Sequence, residues 1–287
     1  MGQQSVVTTP AGAVPVDQYR DNGFLVVRDV LTANELDLVK REAIDICRGR
    51  RGEIGGMFGG EGAADDDQVM AHTLCIHFPH KTSELLRGHL AHPRVTTVLK
   101  ELIGPNVKCM QSMLFIKSAG KPGQAWHQDE AFIPTRDRSL AGVWIALDDA
   151  TVQNGCLWVI PGSHRPGVIW PMRENSDPHF DGSPESYGFP FEESDAVPVE
   201  LPAGSAVVFN GYLLHKSLQN VAPSGYRRAL VNHYMSAESL LPWMNEPDWR
   251  DIVLVAGEDP YAYKGLADRS VAHVRREGMP DPEHSDH

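Results

Sequence analysis

The run Ala125-Trp126-His127-Gln128-Asp129-Glu130 decides how this chain is read. In an extended strand, side chains two positions apart point to the same side. His127 and Asp129 therefore aim an imidazole and a carboxylate into one space. Two histidines and one carboxylate form the ligand set that leaves positions open on non-haem Fe(II). The pair supplies two of those corners, and the third must come from elsewhere. H-x-D alone recurs by chance in many proteins. Among thirteen histidines, His215 is the leading candidate, because it follows a strand-like run (205–209) and the turn Asn210-Gly211. His164, His179 and His233 are rivals, since spacing alone does not fix a distant ligand. His233 lies in a strand-like run and would compete if it faced inward.

Arg227-Arg228 follow twelve residues after His215, at the entry to another strand-like run. A lone arginine inside a barrel needs an anionic partner. A dicarboxylate would supply one, gripped bidentately by the guanidinium. Two solvated surface arginines are the commoner fate of such a pair. Ser217 shares the face of His215 and offers a hydroxyl to the same carboxylate.

Working outward, most of the chain reads as short β runs separated by turns. Strands are predicted at 23–28, 107–117, 142–147, 156–160, 197–201, 205–209 and 228–235. Along 107–117, Gln111, Met113 and Phe115 share one face, while Met110, Ser112, Leu114 and Ile116 share the other. Helices precede the main β region. Thr32-Ala33-Asn34-Glu35 has the form of a capping box and opens a helix to about Cys47. Further helices are predicted over 83–90 and 93–103, the latter stopped by Gly104-Pro105. The fold expected is mainly β with flanking helices, a closed or sandwiched β core. No repeat or linker divides the chain, so one domain over 1–287 is expected. Residues 1–14 are expected to fray, and the Gly-rich then acidic stretch 50–67 to form a mobile loop or lid. Residues 171–196 read as a long excursion between strands, and the part from Leu240 as a packed cap.

Composition narrows the function classes. The formal charge is −12 and there is no long Lys/Arg run, which argues against nucleic-acid and anionic-membrane partners. The four cysteines form no C-x-x-C pair, so neither a zinc knuckle nor a dithiol redox motif is indicated. The start lacks a secretory pattern and no apolar run is long enough to span a bilayer. A reducing cytoplasm is the expected setting.

Three stretches together resemble the phytanoyl-CoA dioxygenase family: Trp126-His127-Gln128-Asp129, Asn154-Gly155-Cys156-Leu157-Trp158-Val159-Ile160-Pro161-Gly162-Ser163-His164, and His215…Tyr226-Arg227-Arg228-Ala229. The resemblance runs from about residue 23 through Met235. It implies a double-stranded β-helix (a jelly roll, cupin-like) and a dioxygenase dependent on Fe(II), 2-oxoglutarate and O2. By position, it makes His127, Asp129 and His215 the iron ligands and Arg227 the clamp on 2-oxoglutarate. The spacing from His215 is one residue longer than the family's, so Arg228 is the fallback. Ser217 matches a further cosubstrate contact, Met113 and Trp144 match the pocket lining, and Gln111 lies on the face of Met113. Related halogenases replace the carboxylate with a small residue; Asp129 instead favours hydroxylation or a related oxidation.

The implied reaction couples conversion of 2-oxoglutarate to succinate and carbon dioxide with oxidation of an unactivated C–H bond. Phe132, Ile133 and Trp158 are candidate apolar walls. His77, Phe78, Gln128, Glu130 and Arg138 are candidate substrate contacts. The acidic chain offers no basic cluster for an acyl-CoA, which points to a small-molecule substrate. The alternatives are a cupin-type metalloenzyme independent of 2-oxoglutarate and a catalytically silent ligand-binding member. Monomer and homodimer are both open.

Overall fold

The structure is a computed structural model and describes residues 14–52, 54–56, 65–239, 252–264 and 272–275. In chain order the elements are α1 (Val16–Asn22), β1 (Phe24–Val27), α2 (Ala33–Cys47), α3 (Asp66–Ala71), β2 (Cys75–His77), α4 (Glu84–Leu90), α5 (Pro93–Leu102), β3 (Val107–Ser118), β4 (Gln124–His127), β5 (Ala141–Ala146) and β6 (Leu157–Val159). There follow β7 (Met172–Arg173), β8 (Glu185–Ser186), β9 (Val197–Val199), β10 (Ala206–Asn210), β11 (His215–Ser217), β12 (Tyr226–Ser236), β13 (Val253–Ala256) and β14 (His273–Arg275).

The large antiparallel sheet runs β1-β10-β5-β12-β3-β2-β14, with β13 also paired to β3; the small one runs β4-β11-β6-β9. Mainly antiparallel strands in two facing sheets, with helices outside, make the jelly roll that the resemblance implied. Period-two alternation builds two cores from one set of strands. Leu25, Leu114, Ile116, Val143, Ile145, Val208 and Leu230 face α2, α4 and α5 and pack with Val39, Ile46, Leu86 and Leu99. Their sequence neighbours Val26, Met113, Trp144, Val207, Phe209, Ala229 and Val231 point the other way and pack with Leu157, Val159 and Leu213 of the small-sheet region. That second core surrounds the site.

The capping box at Thr32 is present: the Thr32 hydroxyl accepts from the Glu35 amide, and the Glu35 carboxylate accepts from the Thr32 amide. The helices expected at 83–90 and 93–103 form with Ser83 and His92 as caps. The acidic end of the expected 50–67 loop is instead the start of α3. The Asp65 side chain caps it by accepting from the Gln68 amide, and Asp66 and Asp67 occupy the first turn, where carboxylates complement the helix dipole. Gly55 bridges to His273; residues 53 and 57–64, on which the lid reading rests, lie outside the described residues. So do residues 1–13 and much of the C-terminal part. Its described pieces, β13 and β14, add strands to the large sheet.

The excursion lies between β6 and β9 and carries the β7–β8 ribbon. Its Phe189 and Phe191 pack with Trp126, Ile160 and Leu214 on the outer side of the small sheet. Three-residue β11 was not foreseen as a strand. It is nevertheless the centre of the small sheet, paired to β4 on one side and β6 on the other.

Candidate metal centre

β4 ends at His127, and Asp129 opens a 3-10 turn rather than continuing the strand. Gln128 between them keeps an extended backbone (φ −128°, ψ 127°), so the two side chains still share a side. The turn forms because the Ala131 amide donates to the Gln128 carbonyl and the Phe132 amide to the Asp129 carbonyl. His215 stands directly opposite His127 in the β11–β4 register. The two imidazole centroids lie 4.1 Å apart. Candidate ligand atoms of His127, Asp129 and His215 all fall within 4.8 Å of one another, and all three residues are buried.

The hydrogen bonds around these residues fix which atoms face the centre. His127 Nδ1 lies 2.8 Å from the Ala125 carbonyl and His215 Nδ1 lies 3.0 Å from the Leu213 carbonyl. A carbonyl only accepts, so each Nδ1 carries the proton and each Nε2 presents a lone pair. Both Nε2 atoms face Asp129 Oδ1, at 3.7 Å and 3.5 Å. The other oxygen, Oδ2, accepts from His233 Nε2 at 2.9 Å. Two imidazole nitrogens and one carboxylate oxygen are thus left for a cation, with their back sides already satisfied. Burial, then the neighbouring His215, pushes His127 down to about 4. Burial opposes ionisation of Asp129, but His215, His233 and His127 outweigh it and hold its carboxyl well below the usual range. Both shifts favour the deprotonated forms a metal requires.

The rivals for the third corner have other occupations. His164 bonds to the Arg20 carbonyl and His179 to Asp177 at the surface. His233 stands behind Asp129. Phe132 packs edge-on against His127, and the Phe209 ring lies 4.7 Å from that of His215. A Cβ on Gly142 would come within 2.3 Å of the Phe209 ring, which explains the glycine beside Ala141. Ser163, in the Pro-Gly-Ser-His run, accepts from the Leu214 amide at 2.9 Å, holding the segment that delivers His215.

The adjacent arginines part company. Arg228 turns toward α2 and forks Asp148 through Nε (2.8 Å) and Nη2 (2.7 Å). Arg227 points inward, only 2% exposed, with its guanidinium 5.2 Å from the Trp144 ring. Its Nε has no hydrogen-bond partner among the described residues. Burial pushes it down to about 10, so it remains a cation at neutral pH. Met113, paired through Val231 with Trp144, lies on the same interior face. Gln111 Nε2 lies 3.4 Å from His77 Nδ1. Ser217, two residues beyond His215, is buried and bonded to Lys117 at 3.0 Å. Sequence reading missed Lys117, although alternation from Met113 through Phe115 places it on the inner face.

Three of the expected substrate contacts, Gln128, Glu130 and Arg138, and Ile133 of the expected apolar wall make contacts within the protein, while the buried Oε2 of Glu130 has no hydrogen-bond partner among the described residues. Gln128 donates to the Val168 and Tyr212 carbonyls and accepts from the Trp170 amide. Glu130 accepts from the amide and hydroxyl of Thr135. Ile133 packs with Met110, Leu140 and Met235. Arg138 lies over Tyr212.

The sequence pattern of the phytanoyl-CoA dioxygenase (PhyH) family matches residues 19–229. The chain belongs to the phytanoyl-CoA dioxygenase family. It is thereby an enzyme of the non-haem Fe(II)/2-oxoglutarate oxygenase class to which that family belongs. Phytanoyl-CoA dioxygenase 1 of Oryza sativa subsp. japonica is 30% identical over 262 residues, covering 80% of this chain and 92% of the rice protein. The peroxisomal phytanoyl-CoA dioxygenase of Rattus norvegicus is 28% identical over 270 residues, covering 87% and 77%. Among solved structures, the apo non-heme monooxygenase ThoJ superposes with a TM-score of 0.66 at 22% identity, covering 92% of this chain and 88% of that one. EctD from S. alaskensis, solved with 2-oxoglutarate and 5-hydroxyectoine, gives 0.63 at 21% identity, covering 91% and 87%. These two likenesses speak for the fold. Among the described residues, no helix is long and apolar enough to cross a membrane.

Proposed function

We propose that His127, Asp129 and His215 hold Fe(II), and that the enzyme uses 2-oxoglutarate and O2 to oxidise an unactivated C–H bond of a small molecule. The observation that carries this reading is the donor set: two Nε2 atoms and Asp129 Oδ1 converge, each fixed from behind by a protein hydrogen bond. Two imidazoles and a carboxylate suit Fe(II) and leave coordination positions for other ligands. Bound iron with 2-oxoglutarate and O2 supplies the oxidising power, with succinate and carbon dioxide as by-products.

The chain's own residues bind and shelter. Arg227 supplies a buried cation for the carboxylate of 2-oxoglutarate remote from its keto group, and Ser217 supplies a hydroxyl to the same group. Trp144 and Met113 wall that end, with Gln111 further along the same face. Phe132 and Phe209 pack against the two imidazoles and keep bulk water from them. The carboxylate at Asp129 favours hydroxylation, or another oxidation, over halogenation. The acidic charge of the chain favours a small metabolite over an acyl-CoA. One domain spans the chain in this reading, and four free buried thiols suit a reducing cytoplasm.

The test is to load Fe(II) and follow O2 uptake and succinate release with and without 2-oxoglutarate, then screen a substrate library by mass spectrometry for a gain of one oxygen or a loss of two hydrogens. Succinate release dependent on Fe(II) and O2 supports the reading. Oxidation that proceeds without 2-oxoglutarate would move the protein to a cupin-type metalloenzyme, and iron binding with no turnover of either compound to a ligand-binding role.

A further inference from the structure

Lys117 is 2% exposed, as buried as Arg227, and stands opposite it in the β3–β12 register. Two cations on one interior face need a reason, because burying an ammonium without an anion is costly. Lys117 Nζ donates to Ser217 Oγ at 3.0 Å and to the Leu218 carbonyl at 2.8 Å. Both partners are neutral; burial and the neighbouring Arg227 push the ammonium's pKa down, and the buried carboxylate of Asp181 acts on it only through space, without an ion pair.

Ser217 carries a second, independent sign. Its oxygen accepts from Lys117 Nζ and from the Gln124 amide at 3.3 Å. A hydroxyl has two lone pairs and one proton. With both lone pairs taken, its proton must be donated elsewhere, and no described residue accepts it. A neutral hydroxyl forced to donate, beside an arginine and a lysine with no direct ion pair among the described residues, suits an acceptor-only group such as a carboxylate.

The neighbouring motif holds this arrangement in place. Gly155 has φ +83°, and a Cβ there would come within 2.4 Å of the Leu218 carbonyl oxygen and 3.3 Å of Lys117 Nζ. Asn154 pins the same turn by accepting from the Thr151 amide and donating to the Asp149 carbonyl. The Asn-Gly step thus lets the Leu218 carbonyl approach, and that carbonyl holds the ammonium.

We propose that Lys117 is a positioning residue of the cosubstrate site: it fixes the Ser217 hydroxyl as a donor and adds a second cation beside Arg227, so the site selects a 2-oxo acid with a second, remote carboxylate. This rests on the 2-oxoglutarate reading above. Asn154-Gly155 serves the same site through Leu218.

Titration calorimetry on Mn(II)-loaded protein tests it, with 2-oxoglutarate and with pyruvate, which has the 2-oxo acid end but no remote carboxylate. Lys117→Met keeps the apolar stem and removes the charge. It should weaken 2-oxoglutarate about 10- to 100-fold, the range for hydrogen bonds to charged groups, and leave pyruvate unchanged. Lys117→Arg should recover part of the loss. Combined with Ser217→Ala, the loss should fall short of the product of the single losses, because one variant acts through the other. The proposal is overturned if Lys117→Met binds 2-oxoglutarate like the wild type, or loses both ligands by the same factor. A wild type that binds pyruvate and 2-oxoglutarate equally well overturns the cosubstrate reading itself.

Discussion

The two faces of the large sheet are made by the same strands yet differ in kind. On the helix-covered face, Leu114, Val143, Ile145 and Leu230 close an apolar core, and the arginine on that side of β12, Arg228, is matched by Asp148. On the inner face, their immediate neighbours include Arg227, Lys117 and His233, which stand among Met113, Trp144 and Val231; among the described residues neither cation makes a direct ion pair, and buried Asp181 acts on Lys117 only through space. Stability accounts for the first face. The second is stable in spite of its contents, because a buried charge without a partner disfavours folding. The contrast supports the cosubstrate site proposed above: where alternate residues of one strand are paired and unpaired, the unpaired side is the one suited to a ligand.

The comparison is broken most severely at the third ligand. His215→Ala should abolish iron binding and reduce turnover to background, whereas His233→Ala should retain iron with an affinity lowered about 10- to 100-fold, as for other partners behind metal ligands. Metal titration of both variants checks this; retention by the first and loss by the second would exchange their roles. Next come the arginines. Arg227→Met should weaken 2-oxoglutarate about 100-fold, the loss of a charge-assisted pair, with little change in melting temperature. Arg228→Met should do the opposite, lowering stability by about 1–3 kcal/mol through loss of its fork on Asp148, which keeps Lys40 at 3.3 Å, and sparing cosubstrate affinity. Calorimetry and thermal melts on the pair decide it.

A pH experiment sharpens the same contrast. Burial holds His127 near 4 when folded, against 6.5 for an unperturbed imidazole, so the unfolded chain binds the extra proton between those limits and stability rises with pH across that window. The metal-free protein should lose about 2 kcal/mol between pH 7 and pH 5 from this residue. Asp129, depressed from a lower starting value, contributes stability above about pH 4 and does not act in the window. Denaturation midpoints of the wild type and His127→Gln measure it, and the variant should show the smaller slope. The smallest effect is on thiol labelling. Burial pushes Cys47 up to about 11 and Cys156 up to about 12, so neither should react with an alkylating reagent at pH 8 until the protein unfolds.

How much of this was legible depended on how local each signal is. His127 and Asp129 could be paired from spacing because one extended residue fixes their common side. The Thr32 capping box and the two faces of the strand over 107–117 were readable for the same reason, since caps and alternation act within a few residues. β11 was not, because a three-residue strand owes its existence to partners 56 and more residues away in sequence, at Val159 and His127. The identity of the inward arginine was settled by Asp148, about which the pattern around Arg227 says nothing. Lys117 lay on a correctly assigned strand face, but nothing in the sequence places Ser217 and Leu218 against it.

The register of β11 carries a last consequence. His215 and Ser217 face inward, while Lys216 between them lies on the outside over Trp126 and pairs with Glu193. One residue inserted or deleted between Asn210 and His215 would swap these sides, sending the imidazole out beneath the aromatic excursion and bringing an ammonium toward the metal ligands. The number of residues in that short connector should therefore be fixed far more strictly than their identities, and chain length rather than chemistry would be its inherited trait.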